Sequence, residues 1–371
     1  MTARGTTGPA AAEIATPAGW EGVFSGPPRA ALERALPPYL AACRWFGGKA
    51  RRIAGVRIRD AVPLALAEGR ARLVLLDVRY EDGPEEIYAL PLAFAGGDRA
   101  GAVRAAHPGA AIAALATGSG PGLLHAVDAD PRFARAVLDA IAGSRRAEGS
   151  EGELVAWPTS LLAGHVAGAE ALLPAPLGAE QSNTSIRFGD RLVLKLFRRT
   201  EPGPNPELEV GAFLSEVARF PATAPVLGGI EYRPRRGEPL SLALLQGFVQ
   251  NDGDAWTFTL GEAGAALDRL LARGAGSDPG APPAPDLVAL AAAEAPPAAR
   301  ALLGTYADAS ALLGERTAEL HLALASHPEL EAFRPEPFTR ADARALHDAA
   351  RAHLEEVFAL LRRLRLERGR G

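Results

Sequence analysis

Lys195 is a single cation set in an apolar run, Leu192-Val193-Leu194-Lys195-Leu196-Phe197, that reads as a strand. A polar loop, Glu180-Gln181-Ser182-Asn183-Thr184, and a further strand precede it, joined to it by a tight Gly189-Asp190 turn. Asn205-Pro206-Glu207 follows, an N-cap with proline at the first helical position, and carries Glu207 and Glu209 into a helix. A strand lysine held by a carboxylate from the adjacent helix can place one positive charge against the α and β phosphates of a nucleoside triphosphate. Taken alone, Lys195 would be an edge-strand lysine that guards against aggregation, and the Ser/Asn/Thr cluster a polar hairpin. In this order they read as a device for holding a polyanion. No Gly-rich phosphate loop is present, so phosphates would be met by backbone N–H groups and by the side chains of Ser182, Asn183 and Thr184, with Gln181 in the same candidate set. Glu207 competes with Glu209 for Lys195, but it lies nearer the helix N-terminus, where the dipole alone accounts for a carboxylate.

The elements that must position these groups can be read in chain order. Residues 1–18 are small and patternless and read as a disordered tail. A helix is expected from Pro28 to Leu36, ended by Pro37-Pro38. Strands follow at Val56–Ala61, Arg72–Tyr80 and Ile87–Phe94, suggesting an antiparallel sheet packed on one helix. Asp130-Pro131 caps a helix to Ala142 with Phe133, Val137, Leu138 and Ile141 at helical spacing. Further strands are expected at Leu154–Trp157, around His165-Val166, at Pro225–Tyr232 and at Leu240–Gln246. Gly247-Phe248-Val249-Gln250-Asn251 then leaves the sheet. From Trp256 the pattern is helical, interrupted by a Pro/Ala/Gly-rich insert at 274–297. Helices at 306–325 and 340–367 close the chain, the second with Leu346, His353, Leu354, Val357, Leu361 and Leu364 as its buried stripe. The domains expected are a tail at 1–18, an α+β unit at 19–100, a second at 101–250 and a helical region at 251–371.

Composition narrows the classes. With 371 residues, 48% hydrophobic, the chain is long enough for two or three units. A formal charge of -4 with mixed signs supplies no basic field, which argues against nucleic acid as a partner. Cys43 is the only cysteine, so an intrachain disulfide or a Cys-based zinc site is excluded and a reducing cytoplasm fits. No run of apolar residues has the length of a signal peptide or a membrane span. Gly47-Gly48-Lys49-Ala50 lacks the earlier glycine and the following Ser/Thr of a P-loop. Asn251-Asp252-Gly253-Asp254 lacks the spacing of a calcium loop, the histidines form no HExxH, and Gly118-Ser119-Gly120 is no GxSxG.

Six blocks, in order, resemble bacterial maltokinases, relatives of the aminoglycoside-phosphotransferase and protein-kinase-like superfamily. They are Arg44-Trp45-Phe46-Gly47-Gly48-Lys49, Gly178 to Ser185, Leu194-Lys195-Leu196-Phe197-Arg198-Arg199, Asn205 to Val210, Leu245-Gln246-Gly247-Phe248-Val249 and Gly314 to His321. The resemblance runs from about residue 36 to the end. It implies an α+β fold: an N-terminal cap of antiparallel sheet with helix, a kinase-like N-lobe and an incomplete helical C-lobe. It further implies ATP with Mg as cofactors, phosphorylation of maltose at its anomeric hydroxyl for α-glucan synthesis, Lys195 on phosphates held by Glu209, and Gln246, Phe248 and Val249 as the adenine hinge. The implied partners are ATP and maltose, with trehalose synthase or a separately encoded C-lobe, in the cytoplasm. One departure stands out. After Glu209 there is no His-x-Asp catalytic loop and no following acidic motif for magnesium; His347-Asp348 falls inside an amphipathic helix. The chain by itself is therefore expected to hold nucleotide without turning it over. The rival expectations are a non-catalytic nucleotide-binding or regulatory module, and a kinase for another small acceptor.

Overall fold

Alternating and fully apolar runs between Gly/Pro/Asp turns fold here into two antiparallel-rich sheets sharing one core. The structure is a computed structural model; it describes residues 12–128, 130–166, 172–177, 182–272 and 293–368. The first sheet contains β1 (Ala12–Thr16), β2 (Ile53–Ala65), β3 (Arg70–Tyr80), β4 (Glu86–Gly96), β5 (Ala111–Thr117) and β6 (Gly120–Ala126), in the order β1-β5-β6-β4-β3-β2. Its pairings are antiparallel except β1 with β5, which is parallel.

Two expectations fail at the start of the chain. Ala12–Thr16 is a strand rather than tail: Ile14 and Thr16 are buried and Glu13 and Ala15 exposed, the period-2 signature of a half-buried strand that small residues had concealed. Residues 1–11 lie outside the described residues. Helix α1 (Gly26–Ala42) runs through Pro37 and Pro38 instead of stopping at them. Leu32, Leu36 and Leu40, each fully buried and four residues apart, pin one face of the helix on both sides of the proline pair, and this packing outweighs the lost backbone hydrogen bonds.

Helix α2 (Asp98–Ala106), β5 and β6 extend the first unit to Ala126, so a boundary at 100/101 would cut through the first sheet. Helix α3 (Pro131–Ala142) has the predicted bounds, and Asp130 accepts from the Arg132 N–H at 2.9 Å as its cap. The second sheet comprises β7 (Arg146–Glu148), β8 (Gly152–Pro158), β9 (Pro174–Leu177), β10 (Asn183–Phe188), β11 (Leu192–Phe197), β13 (Val226–Pro234) and β14 (Leu240–Gly247), in the order β7-β8-β13-β14-β11-β10-β9. Around His165-Val166 the chain forms a short helix, α4 (Leu162–Val166), in place of the expected strand. There His165 Nδ1 donates to the Leu161 carbonyl four residues back, at 2.9 Å.

Helix α3 is where the sheets meet. Phe133, Val137 and Ile141 bury against Leu73, Leu75 and Ala89 of the first sheet and Leu194, Leu196 and Leu242 of the second, within one apolar cluster. The sheets are also joined by backbone. After β11 the chain crosses over, and β12 (Arg199–Thr200) pairs with Tyr88 and Ile87 of β4. The run from Leu192 to Thr200 therefore belongs to both sheets.

Helix α5 (Pro206–Ala212) continues into a π-helical turn, Phe213–Val217. After β14 come α6 (Ala255–Ala272), α7 (Pro297–Leu303), α8 (Thr305–Leu324) and α9 (Arg340–Arg368). Residues 273–292, most of the expected insert, lie outside the description. The contacts divide the chain into two units, Met1–Arg316 and Thr317–Gly371. The described part of the α9 stripe has its predicted helical spacing but is not buried: Leu346 is 65% and Leu354 is 55% exposed, and Val357, Leu361 and His353 are exposed as well, while the Leu364 side chain lies outside the description. Amphipathic spacing tells which face would be covered, not that a partner covers it. Among the described residues no helix is long and apolar enough to cross a membrane.

Candidate functional site

Strand pairing decides which side chains share the face of Lys195. On β10 and β14 the residues opposite Lys195 are Ser185 and Leu244, and Asn183 lies opposite Phe197. With a side-chain period of two, Asn183, Ser185, Lys195 and Gln246 point to one face of the sheet. Phe197 and Leu244, on the same face, bury with Val226 and with Leu208 of α5, and this seats the helix beside the lysine. Gly211 allows the close approach, because a Cβ there would lie 2.6 Å from Val226 Cγ2.

Asn205 Oδ1 accepts from the Glu207 N–H at 3.0 Å and caps α5 as predicted. Lys195 Nζ then donates to both oxygens of Glu207, each at 2.9 Å. In this pose Lys195 thus meets Glu207, whereas the resemblance implied Glu209. Two residues along a helix turn a side chain through about 200°, so Glu207 and Glu209 point to opposite sides and only one can face the strand lysine from this helix pose. Glu209 lies on an exposed position.

The other sequence candidates divide. Ser182 is exposed at the start of β10, and Gln181 lies outside the described residues. Thr184 sits on the face opposite Lys195, where its Oγ1 accepts from Arg198 Nε at 2.9 Å and Nη2 at 2.7 Å. Gln246 is on the lysine face, half-buried at the end of β14. Phe248 follows the strand and is tied to the β10–β11 hairpin, its N–H donating to the Arg191 carbonyl at 2.8 Å and its ring 5.9 Å from the Arg187 guanidinium. Val249 is exposed. Ser185, not singled out from sequence, joins the face through the alternation that starts at Asn183.

The back of the same hairpin is charged and closed. Arg198 is 1% exposed; it ion-pairs with Asp128 and lies 4.8 Å from the Trp45 ring centroid. Nearby, Glu86 accepts from the Tyr80 and Tyr88 hydroxyls at 2.5 and 2.8 Å and pairs with Arg51 and Arg199. Burial pushes the Glu86 carboxyl up, but the two hydroxyls and two guanidinium groups outweigh it and hold it below its ordinary range. Asp60 of β2 makes a second joint, accepting from Ser150 N–H and Oγ at 2.9 Å, Glu151 N–H at 3.0 Å and Tyr232 Oη at 2.9 Å. Burial raises its carboxyl too, and these donors with the Ala61 amide bring it below the usual value. Of these groups only Trp45, Arg198 and Arg199 stand in blocks noticed from sequence; Asp60, Glu86 and Asp128 carry no local signal, since their partners lie far along the chain.

Residues 39–129 match the maltokinase N-terminal cap domain. The cap thus takes in Trp45, Glu86 and Asp128 together with β2 to β6, and it ends just before α3. Among solved structures, the chain is similar to a glucosamine kinase in complex with glucosamine, ADP and inorganic phosphate, with 20% identity and a TM-score of 0.45 over 87% of this chain and 58% of that one. A second crystal form of glucosamine kinase gives 19% identity, a TM-score of 0.46 and the same coverage. The chain thus spans 58% of the length of the kinases it matches. Among the described residues no group of three His, Cys, Asp or Glu side chains could hold a metal ion.

Proposed function

We propose that this chain is the nucleotide-gripping part of a maltokinase-type, ATP-dependent sugar kinase. The observation that carries the reading is the two-oxygen hold of Glu207 on Lys195, from a capped helix seated on the sheet that also presents Asn183, Ser185 and Gln246. An ammonium fixed in this way costs little reorganisation when it meets a triphosphate. Asn183 and Ser185 would receive phosphate oxygens, and Gln246 with Phe248 and Val249 would line the adenine end. The cap match supports the maltokinase type, with maltose as the acceptor to be tested first. No residue is assigned to magnesium, which one or two carboxylates and the nucleotide's own phosphates can hold, and no step is routed through that ion. No His-x-Asp follows Glu209, so the proposal for the chain as given is binding without transfer.

Equilibrium dialysis of ATP and ADP against the full chain tests this directly. Binding of either nucleotide, weakened at least tenfold by Lys195→Met with the fold intact by circular dichroism, is the expected result. Undetectable binding by the wild-type chain at millimolar nucleotide would overturn it. Maltose-dependent ADP formation at a rate well above a Lys195→Met control would overturn the binding-only clause while keeping the kinase assignment.

A further inference from the structure

We propose that Arg198 is a positioning residue through which docking of the cap sets the nucleotide face; the proposal rests on the nucleotide-binding reading above. Arg198 stands at the crossover between β11 and β12, where one strand leaves the Lys195 sheet and joins the cap sheet. Its guanidinium is always charged and is here almost wholly removed from water. Each of its contacts comes from a different place. Asp128 supplies the counter-charge from the loop after β6, the Trp45 indole lies over the guanidinium, and Thr184 Oγ1 takes two of its N–H groups. Its own carbonyl accepts from the Ala89 N–H of β4 at 2.8 Å. Asp128, Trp45 and Ala89 lie in the matched cap, and Thr184 lies at the start of β10.

The arrangement is costly for simple cohesion. A buried guanidinium is poorly compensated unless every N–H is met, and Nη1 of Arg198 is buried without a hydrogen-bond partner among the described residues. An apolar side chain would fill the space more cheaply, whereas a charged fork reads the positions of two partners at once. Thr184 is the residue between Asn183 and Ser185, which face the opposite way toward Lys195. Holding Thr184 from behind therefore fixes the height at which its two neighbours present themselves in front. Trp45 and Asp128 also line a cleft of about 640 Å³, so the anchored end of the latch meets solvent.

The test measures ADP affinity of the full chain by equilibrium dialysis for Asp128→Asn, Thr184→Val and the pair together, with Tyr232→Phe as a control that loosens the other joint. Asp128→Asn and Thr184→Val should each weaken ADP about tenfold, and the double variant no more than the weaker single one, while Tyr232→Phe leaves affinity unchanged. A lowered melting temperature for Asp128→Asn with wild-type ADP affinity, or fully additive losses, would overturn the latch. Hydrogen exchange needs no nucleotide and separates the two readings: amides of Thr184 to Ile186 should exchange faster in Asp128→Asn, and unchanged exchange there refutes the latch. If the wild-type chain binds no ADP at all, the functional reading fails and the exchange result alone decides the latch.

Discussion

Two cations three positions apart on one run of chain, Lys195 and Arg198, meet opposite environments. Lys195 keeps 17% of its side chain exposed and pairs with a Glu207 that is 45% exposed; Arg198 is 1% exposed and pairs with an Asp128 at 23%. The sheet explains the split, because residues an odd number apart on a strand point to opposite faces. The forward face is left half-wet, where an ion pair is weak and a ligand can compete for it. On the rear face Arg198 is buried, where a charge cannot be abandoned cheaply. One strand thus carries an exchangeable contact in front and a fixed one behind, which suits a site that must bind and release without losing its frame.

The largest effect that separates the two faces is expected from Asp128→Ala. It strands a buried guanidinium and should cost about 3 kcal/mol in chemical unfolding, the lower end for breaking a buried pair because Asp128 is partly exposed. Arg198→Met should cost only about 1 kcal/mol, since the carboxylate left behind can be hydrated. Equal losses would mean that Arg198 is less isolated from water than its burial indicates. Next comes the Asp60 joint. Tyr232→Phe removes one donor from a buried carboxylate and should cost about 1 kcal/mol. Asp60 and Glu86 are both depressed in the folded state, so the unfolded chain binds protons first as pH falls. Their stabilisation is complete above the ordinary carboxylate range and is lost as pH drops from about 4.5 through their lower folded values. Unfolding midpoints followed from pH 7 to 3 should show this loss, and Asp60→Asn should flatten it.

How much of this was legible in the sequence follows from how local each signal is. The cap of α3 by Asp130 and of α5 by Asn205 is written in two or three adjacent residues, and both helices begin where those residues say. Lys195 could be found because a charge interrupts an apolar strand. Asn183 and Gln246 were named as well, but only pairing register puts them and Ser185 on the face of Lys195 and turns Thr184 away. Helix α1 shows the reverse failure: a strong local stop, Pro37-Pro38, was overruled by three buried leucines contacting residues far along the chain. The Arg198–Asp128 pair joins groups seventy residues apart in number, and nothing near Asp128 announces it.

The smallest expected effect is on the forward face, and it decides which carboxylate serves Lys195. Glu207→Gln removes a half-exposed pair and should change stability by less than about 1 kcal/mol. Glu209→Gln, at an exposed position, should change it no more. Nucleotide affinity distinguishes them. If the pose seen here is the working one, Glu207→Gln weakens ADP severalfold, while Glu209→Gln leaves it unchanged. The opposite result would mean that α5 turns on its axis when nucleotide enters, bringing Glu209 to the lysine. The π-helical turn directly after α5 is the place where such a change of phase could be absorbed, since a π turn carries one more residue than an α turn. Dialysis of ADP against the two variants side by side therefore tests whether the forward contact is as exchangeable as its exposure makes it.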